Sequence, residues 1–226
     1  MSLREEGHDA PNHPNPIERN RSIVWARYHV DSNEWALLSA KVTRRDGKIT
    51  LATIALVDNH GREMLEEMIK ASDVVPNEEI AQHGVDQSVV FHAKSFEEVM
   101  RKLVDRIGDR TLVAWDMKAV QSIMDELCTM NNRPSVEWRG DSACKELARF
   151  KGETQDVKLG YNPQPLELSG ISAADECKSV LKVIQEIAAS SQASDSLVDG
   201  KPGWTAEFYR PKVGAKEKLK GLFGLH

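Results

Sequence analysis

Cysteine is scarce and scattered in this chain. Cys128, Cys144 and Cys177 are the only three in 226 residues, with no Cys-X-X-Cys pair. An odd, widely spaced set excludes a disulfide framework and a zinc cluster; it reads as reduced core thiols in a cytoplasmic protein. Long hydrophobic runs are also missing: none approaches the roughly 18 residues of a membrane span, and the charged N-terminus carries no apolar signal segment. Nor is there a basic surplus. Thirty Lys and Arg stand against 35 Asp and Glu, a net charge of −5, so any nucleic-acid contact must come from a local patch rather than a global field. Aromatics are 6% of residues, but a hydrophobic content of 40% is enough for a core. The length suits one domain with tails, and no internal repeat is apparent.

What is present begins with Trp35–Asp58. Two apolar runs, Trp35–Val42 and Lys48–Asp58, flank Asp46-Gly47, a strong hairpin signal. A second turn, Asp58–Gly61, leads to a third extended run, Arg62–Lys70. Residues 1–19, rich in proline and charge, read as a disordered leader, and Ile17–His29 as a short amphipathic helix with Ile23, Val24, Trp25 and Tyr28 available to face the sheet. Pro76 stops the third strand, a helical turn follows, and Gly84 permits a tight reversal. Ser95 and Glu98 form a capping box for a helix Phe96–Ile107, with Phe96, Val99, Met100, Leu103, Val104 and Ile107 on one face. Thr111–Trp115 is predicted as a buried strand, Lys118–Met130 as a helix, Pro134–Trp138 as a strand, and Asp141–Lys151 as a helix capped by Asp141 or Ser142. Ile171–Ala189 is the last core helix. Residues 191–226 form a polar linker, a possible strand Trp204–Tyr209, and a basic extension with Lys212, Lys216, Lys218 and Lys220. That extension is either an interaction arm or a short docked helix.

Several stretches resemble the DEDDh-type 3'-to-5' exonucleases, the group of RNase T and the DNA polymerase III epsilon subunit. Ile49–Gly61 is similar to the family strand Ile-X-Glu-Ile-Ala-X-Val-Asp-X-X-Gly. Val75–Val85 looks like Ile-Pro-X-X-Ala-X-X-X-His-Gly-Ile, and Val89–Phe96 like Val-X-X-Ala-Pro-X-Phe. Leu112–Leu127 follows the family's second motif, with Trp115 and Asp116 in its aromatic and Asn places, and Cys144 and Phe150 fit the helix after it. Gly170–Cys177 resembles the third motif. The resemblance covers about 20–190 and implies an α/β fold: an RNase H-like mixed five-stranded sheet, three antiparallel strands first, flanked by helices.

The reactive residues depart from that pattern. The family holds two divalent ions about 3.5–4 Å apart with four carboxylates, and a His takes the proton from the attacking water. The corresponding positions here are Ser39, Lys41, Val120, Ile171 and Glu176, so one acid remains and the base is absent. An ammonium beside a cation site opposes metal binding. No metal or other cofactor is therefore expected. If activity remains, Mg²⁺ or Mn²⁺ would rest on Glu176 and Asp116, although Asp116 also suits a helix N-cap. Lys41 has three readings: a partner for Glu176 in place of the lost metal, a phosphate ligand with Arg44, Arg45 and Lys48, or part of a solvated hairpin. His83 either contacts a nucleotide or closes its loop on the backbone; Trp115 either stacks a base or fills the core. The expected function is a non-hydrolysing exonuclease-fold module that binds single-stranded nucleic acid or a protein partner. The alternatives are a weak metal-dependent 3'-to-5' exonuclease and a purely structural subunit. The sequence leaves the oligomeric state open.

Overall fold

The structure, a computed structural model, describes residues 13–69, 75–84, 87–153 and 171–190. The predicted leader (1–12 of it), the linker, the possible strand at 204–209 and the basic extension lie outside these residues. A five-stranded sheet is built from β1 (Trp35–Arg45), β2 (Lys48–Asp58), β3 (Glu63–Ile69), β4 (Thr111–Ala114) and β5 (Gly140–Ser142), in the order β3-β2-β1-β4-β5. The first three strands are antiparallel, while β4 and β5 run parallel to β1. This is the expected RNase H-like mixed sheet.

The β1–β2 connection is the two-residue turn that Asp-Gly predicts. Asp46 and Gly47 both have positive φ, 52° and 78°, which matches the twist of the flanking strands. Among the described residues, seven helices surround the sheet: α1 (Pro16–Asp31), α2 (Asn77–Ala81), α3 (Gln87–Phe91), α4 (Phe96–Ile107), α5 (Met117–Met130), α6 (Ala143–Lys151) and α7 (Ala173–Ala188). The period of two along β1 divides the core. Ala36 and Leu38 face α4 and α5, packing on Phe96, Val99, Met100, Leu103, Met124 and Leu127. Trp35 and Leu37 face α1, α6 and α7, packing on Ile23, Trp25, Phe150, Val180, Leu181 and Ile184. Ser39 and Lys41 continue this second series.

Ser95 caps α4 in the reciprocal capping box that the sequence predicts. α1 begins at Pro16, inside the stretch read as a leader, because Asn15 supplies an N-cap to the Glu18 N–H and proline is favoured in the first turn. Two further boundaries differ from expectation. The fifth strand is Gly140–Ser142, not Pro134–Trp138. Val136 and Trp138 are buried core residues, but the ladder to β4 needs the close backbone approach at Gly140, where an added Cβ would lie 2.4 Å from the Leu112 carbonyl oxygen. α6 starts at Ala143 with Ser142, one of the two proposed caps, in the N-cap position, but its side chain makes no capping bond. Ser142 Oγ accepts from the Met117 N–H, tying α5 to β5, and Asp141 accepts from the Trp25 indole.

All three cysteines are buried free thiols. Burial, reinforced by Asp116, pushes Cys144 up to about 12, so that thiol is no nucleophile at neutral pH. No helix among the described residues is long and apolar enough to cross a membrane.

Candidate functional site

The chain path points to one region of the sheet before any side chain is considered. β1 leads by hairpins to β2 and β3 on one side and by a crossover to β4 on the other. In open α/β sheets, ligands bind where the connections diverge in this way, at the carboxyl ends of the strands. Ser39 and Lys41 stand in the middle of β1, just beyond Leu37, where its pairing with β4 stops. Trp115 follows β4 directly and packs against the same α7-side core as a half-buried residue.

The antiparallel register fixes the neighbours. Ser39 pairs with Ala55, and Ala55 with Glu66; Lys41 pairs with Thr53, and Thr53 with Met68. Ser39 and Glu66 therefore share one cross-strand row, separated only by a methyl group, and Lys41 lies beside Thr53. Over these rows sits the N-terminus of α7, capped twice. Ser172 Oγ accepts from the Asp175 N–H, and Glu66 Oε1 accepts from the Ala174 N–H at 2.9 Å. Glu176 lies one helical position further on, facing Ser39 and Lys41.

Lys41 joins these parts. Its Nζ donates to the Ile171 carbonyl at 2.6 Å and to the Gln82 carbonyl at 3.4 Å. Burial lowers its pKa, and the Glu176 and Glu66 charges oppose that fall. Burial raises the Glu176 carboxyl, and Lys41 and then Ser39 pull it back. The Ser39 hydroxyl is 97% buried with no hydrogen bond of ordinary geometry, so its effect on Glu176 is that of a nearby dipole. The expected partnership of Lys41 with Glu176 is thus present as a through-space attraction, while the short bond of the ammonium goes to the backbone at Ile171.

His83 belongs to the same cluster but is neither a surface contact nor a backbone clamp. It is 1% exposed, and its Nδ1 lies 2.8 Å from Thr53 Oγ1, a side-chain partner on β2. Burial, and then the Lys41 charge, push it down to about 4. Since the unfolded chain takes that proton near 6.5 and the folded chain only near 4, stability is full above about pH 6.5 and falls as pH drops towards 4. The expected loss from this group is about 2–3 kcal/mol. Urea unfolding of the native protein and of His83→Asn at pH 7 and pH 4.5 checks it: the acid-induced loss is smaller in the variant.

Two other expectations are corrected, and one position is decided between its two readings. Arg44 and Arg45 do not join Lys41 in a phosphate cluster. They point to opposite sides of β1, Arg44 to Glu126 on α5 and Arg45 to Glu79 on α2, both at 2.6 Å. These pairs are solvated, so Arg44→Ala and Arg45→Ala should each change stability by less than about 1 kcal/mol in thermal unfolding. Of the two readings of Asp116, the helix cap holds: its Oδ1 accepts from the Lys118 N–H as the N-cap of α5. Val120 is buried in the core on the opposite face of the sheet, so it does not face Ser39 at all. Met117–Gln121 contains no acid.

Two members of the cluster escaped sequence reasoning, Glu66 and Thr53. The signal for both was the hairpin register, which follows from the two turns and sets Glu66 level with Ser39 and Thr53 level with Lys41. The donor set does not fit a pair of divalent ions. Two carboxylates, Glu66 and Glu176, are present, but they act through space on the Lys41 ammonium, a cation that opposes a second positive charge there, and among the described residues no group of three His, Cys, Asp or Glu side chains is placed to hold a metal.

No model of a known protein family matches the chain, and no curated protein does. Solved structures do match. A 3'-exonuclease whose structure describes 3'-end-specific recognition of a histone mRNA stem-loop has a TM-score of 0.50 and 15% identity, over 72% of this chain and 85% of that one. The fold is that of a 3'-exonuclease. A full-length 3'-exonuclease gives 0.49 and 14% over 68% and 80% of the two chains. The nuclease domain of a DEDDh family member bound to rAMP gives 0.45 and 14% over 69% and 92%.

Proposed function

We propose that this chain is a binding module on a 3'-exonuclease scaffold, which holds a single-stranded nucleic-acid end where β1 and β4 diverge, without hydrolysing it. The observation that carries this reading is the Lys41 ammonium, bonded to the Ile171 carbonyl and drawn to Glu66 and Glu176. A fixed cation there supplies the charge that paired metal ions would otherwise supply. It attracts a phosphate but cannot lower the pKa of a water as a metal does. The buried, uncharged His83 offers no accessible base to replace that water activation. Trp115, directly after β4, provides an aromatic edge for a terminal base.

The test uses 3'-labelled single-stranded DNA and RNA with Mg²⁺ or Mn²⁺. The expected result is binding whose affinity falls with salt, with no shortening of the strand. Shortening from the 3' end, abolished by Glu176→Gln, would instead establish a metal-dependent exonuclease. Absence of any salt-dependent binding would leave the chain as a protein-binding or structural subunit.

A further inference from the structure

The end of α2 reaches over Lys41. The base of that helix is anchored: Ile80 packs into a small apolar cluster with Leu51 and Met68, and Glu79 accepts from Arg45 and Thr50 on the β1–β2 hairpin. Beyond this base, residues 82–84 form a tip that extends to the start of α7. Two side-chain bonds tie the tip to the sheet. His83 Nδ1 lies 2.8 Å from Thr53 Oγ1, and Lys41 Nζ donates to the Gln82 carbonyl at 3.4 Å. On its other side, Gly84 rests so closely on the backbone of Ile171 and Ser172 that a Cβ has no room. The same ammonium donates to the Ile171 carbonyl at 2.6 Å, so one cation fastens the tip and the α7 start together.

This closed arrangement is a poor anion site. An ammonium has three donors and no acceptor, and the shortest bond here is committed to a backbone carbonyl. Glu66 and Glu176 set two negative charges against the one positive charge. A phosphate that takes the ammonium therefore has to displace both carbonyls. The two bonds are unequal: 3.4 Å to Gln82 is long for a hydrogen bond, so the tip is the side that yields. Gln82 and Gly84 are already exposed, and lifting them uncovers chiefly the His83 ring. With the tip lifted, the flexible stem of Lys41 is able to swing outward, away from both carboxylates.

We propose that residues 82–84 are a lid latched by Lys41, whose ammonium exchanges the Gln82 and Ile171 carbonyls for a phosphate of the bound strand as the lid opens. This inference rests on the nucleic-acid reading above and adds its regulation. The free protein holds its own cation occupied, and the apparent affinity is the intrinsic affinity reduced by the fraction of open molecules.

The experiment compares the affinity of the full chain and of Thr53→Val for a labelled single-stranded oligonucleotide. Valine keeps the shape of threonine but removes the hydroxyl that meets His83, so the closed lid is weakened while Lys41 is untouched. Loss of one buried hydrogen bond shifts the balance towards the open form about five- to tenfold, and the variant is expected to bind tighter by that factor. A second readout needs no variant. His83 is 1% exposed in the closed protein, so diethylpyrocarbonate should spare it while labelling the exposed His60. Added oligonucleotide is expected to make His83 reactive in the native chain, as read by peptide mass spectrometry. Native binding that Thr53→Val leaves unchanged or weakens overturns the lid and leaves the nucleic-acid reading intact, as does a His83 that stays protected in the complex. Binding by the variant alone supports lid and reading together. If neither protein binds, the nucleic-acid reading fails and the lid with it.

Discussion

Gly84→Ala is expected to be among the most damaging single substitutions in the chain, lowering stability by about 3 kcal/mol or more. Two effects combine. Gly84 has φ +68°, a conformation that disfavours residues with a Cβ. A Cβ there would also lie 2.5 Å from the Ile171 carbonyl carbon and 2.6 Å from the Ser172 nitrogen. Both obstacles are backbone atoms, so no side chain can swing away. Left-handed strain alone costs about 1–2 kcal/mol, and the contact requires the turn and the start of α7 to separate. That separation would break the Lys41 bonds to Gln82 and Ile171, since Lys41 spans these two segments. Urea unfolding gives the loss directly. Gly47→Ala is the internal control: its φ of +78° is comparable, but no atom lies within 4 Å of the added Cβ, so only the strain should appear. Equal losses in the two variants would show that the Gly84 contact with α7 carries no weight.

The same loop shows where sequence reasoning succeeds and where it stops. The hairpin, the three-strand meander, the capping box and the helix faces were legible because each is set by local chemistry: a turn residue, a cap, or a period of 2 or 3.6. The His83-Gly84 turn was legible as a reversal, but its contact with Ile171 joins residues 87 positions apart, and no local pattern reports that. Val120 was misplaced for a related reason. An ungapped alignment counts residues, whereas the helix turns Val120 by its packing on the other face of the sheet, towards the core around Leu38 and Met124. The three cationic residues Lys41, Arg44 and Arg45 read as one patch along the chain. The alternation of a strand, with a bulge at Thr43/Arg44, sends them in different directions. The fifth strand was displaced because its position depends on a single backbone approach at Gly140, not on apolar content. Glu66 was overlooked because it is one of three glutamates in β3 that look alike along the chain; only the register of three strands shows that it caps a helix more than a hundred residues later.

Removing the charge of Lys41 tests the central electrostatic claim. Lys41→Met keeps the length and apolar stem of the side chain but deletes the ammonium, leaving Glu176 partly desolvated and Glu66 without its counter-charge. Deleting one partner of a buried charge cluster costs more than the cluster itself contributes; the expected loss at pH 7.5 is about 2 kcal/mol, allowing for the partial exposure of Lys41. The sign of its pH dependence follows from the groups involved. Without Lys41 the folded-state pKa of Glu176 rises further, so protonation favours the folded variant and the deficit shrinks as pH falls. The folded-state pKa of His83 also rises, because the cation that depresses it is gone, and this acts in the same direction. Unfolding of both proteins between pH 8 and pH 5 should therefore show converging stabilities. Lys41→Glu carries the argument further. It places a third carboxylate beside Glu66 and Glu176, destabilising the fold at neutral pH and creating oxygen ligands for a hard cation. Millimolar Mn²⁺ should raise the unfolding temperature of that variant and leave the native protein unmoved, because metal bound only to the folded state adds stability by mass action. A native protein that responds to Mn²⁺ as strongly as the variant would show that Lys41 does not occupy the cation's place.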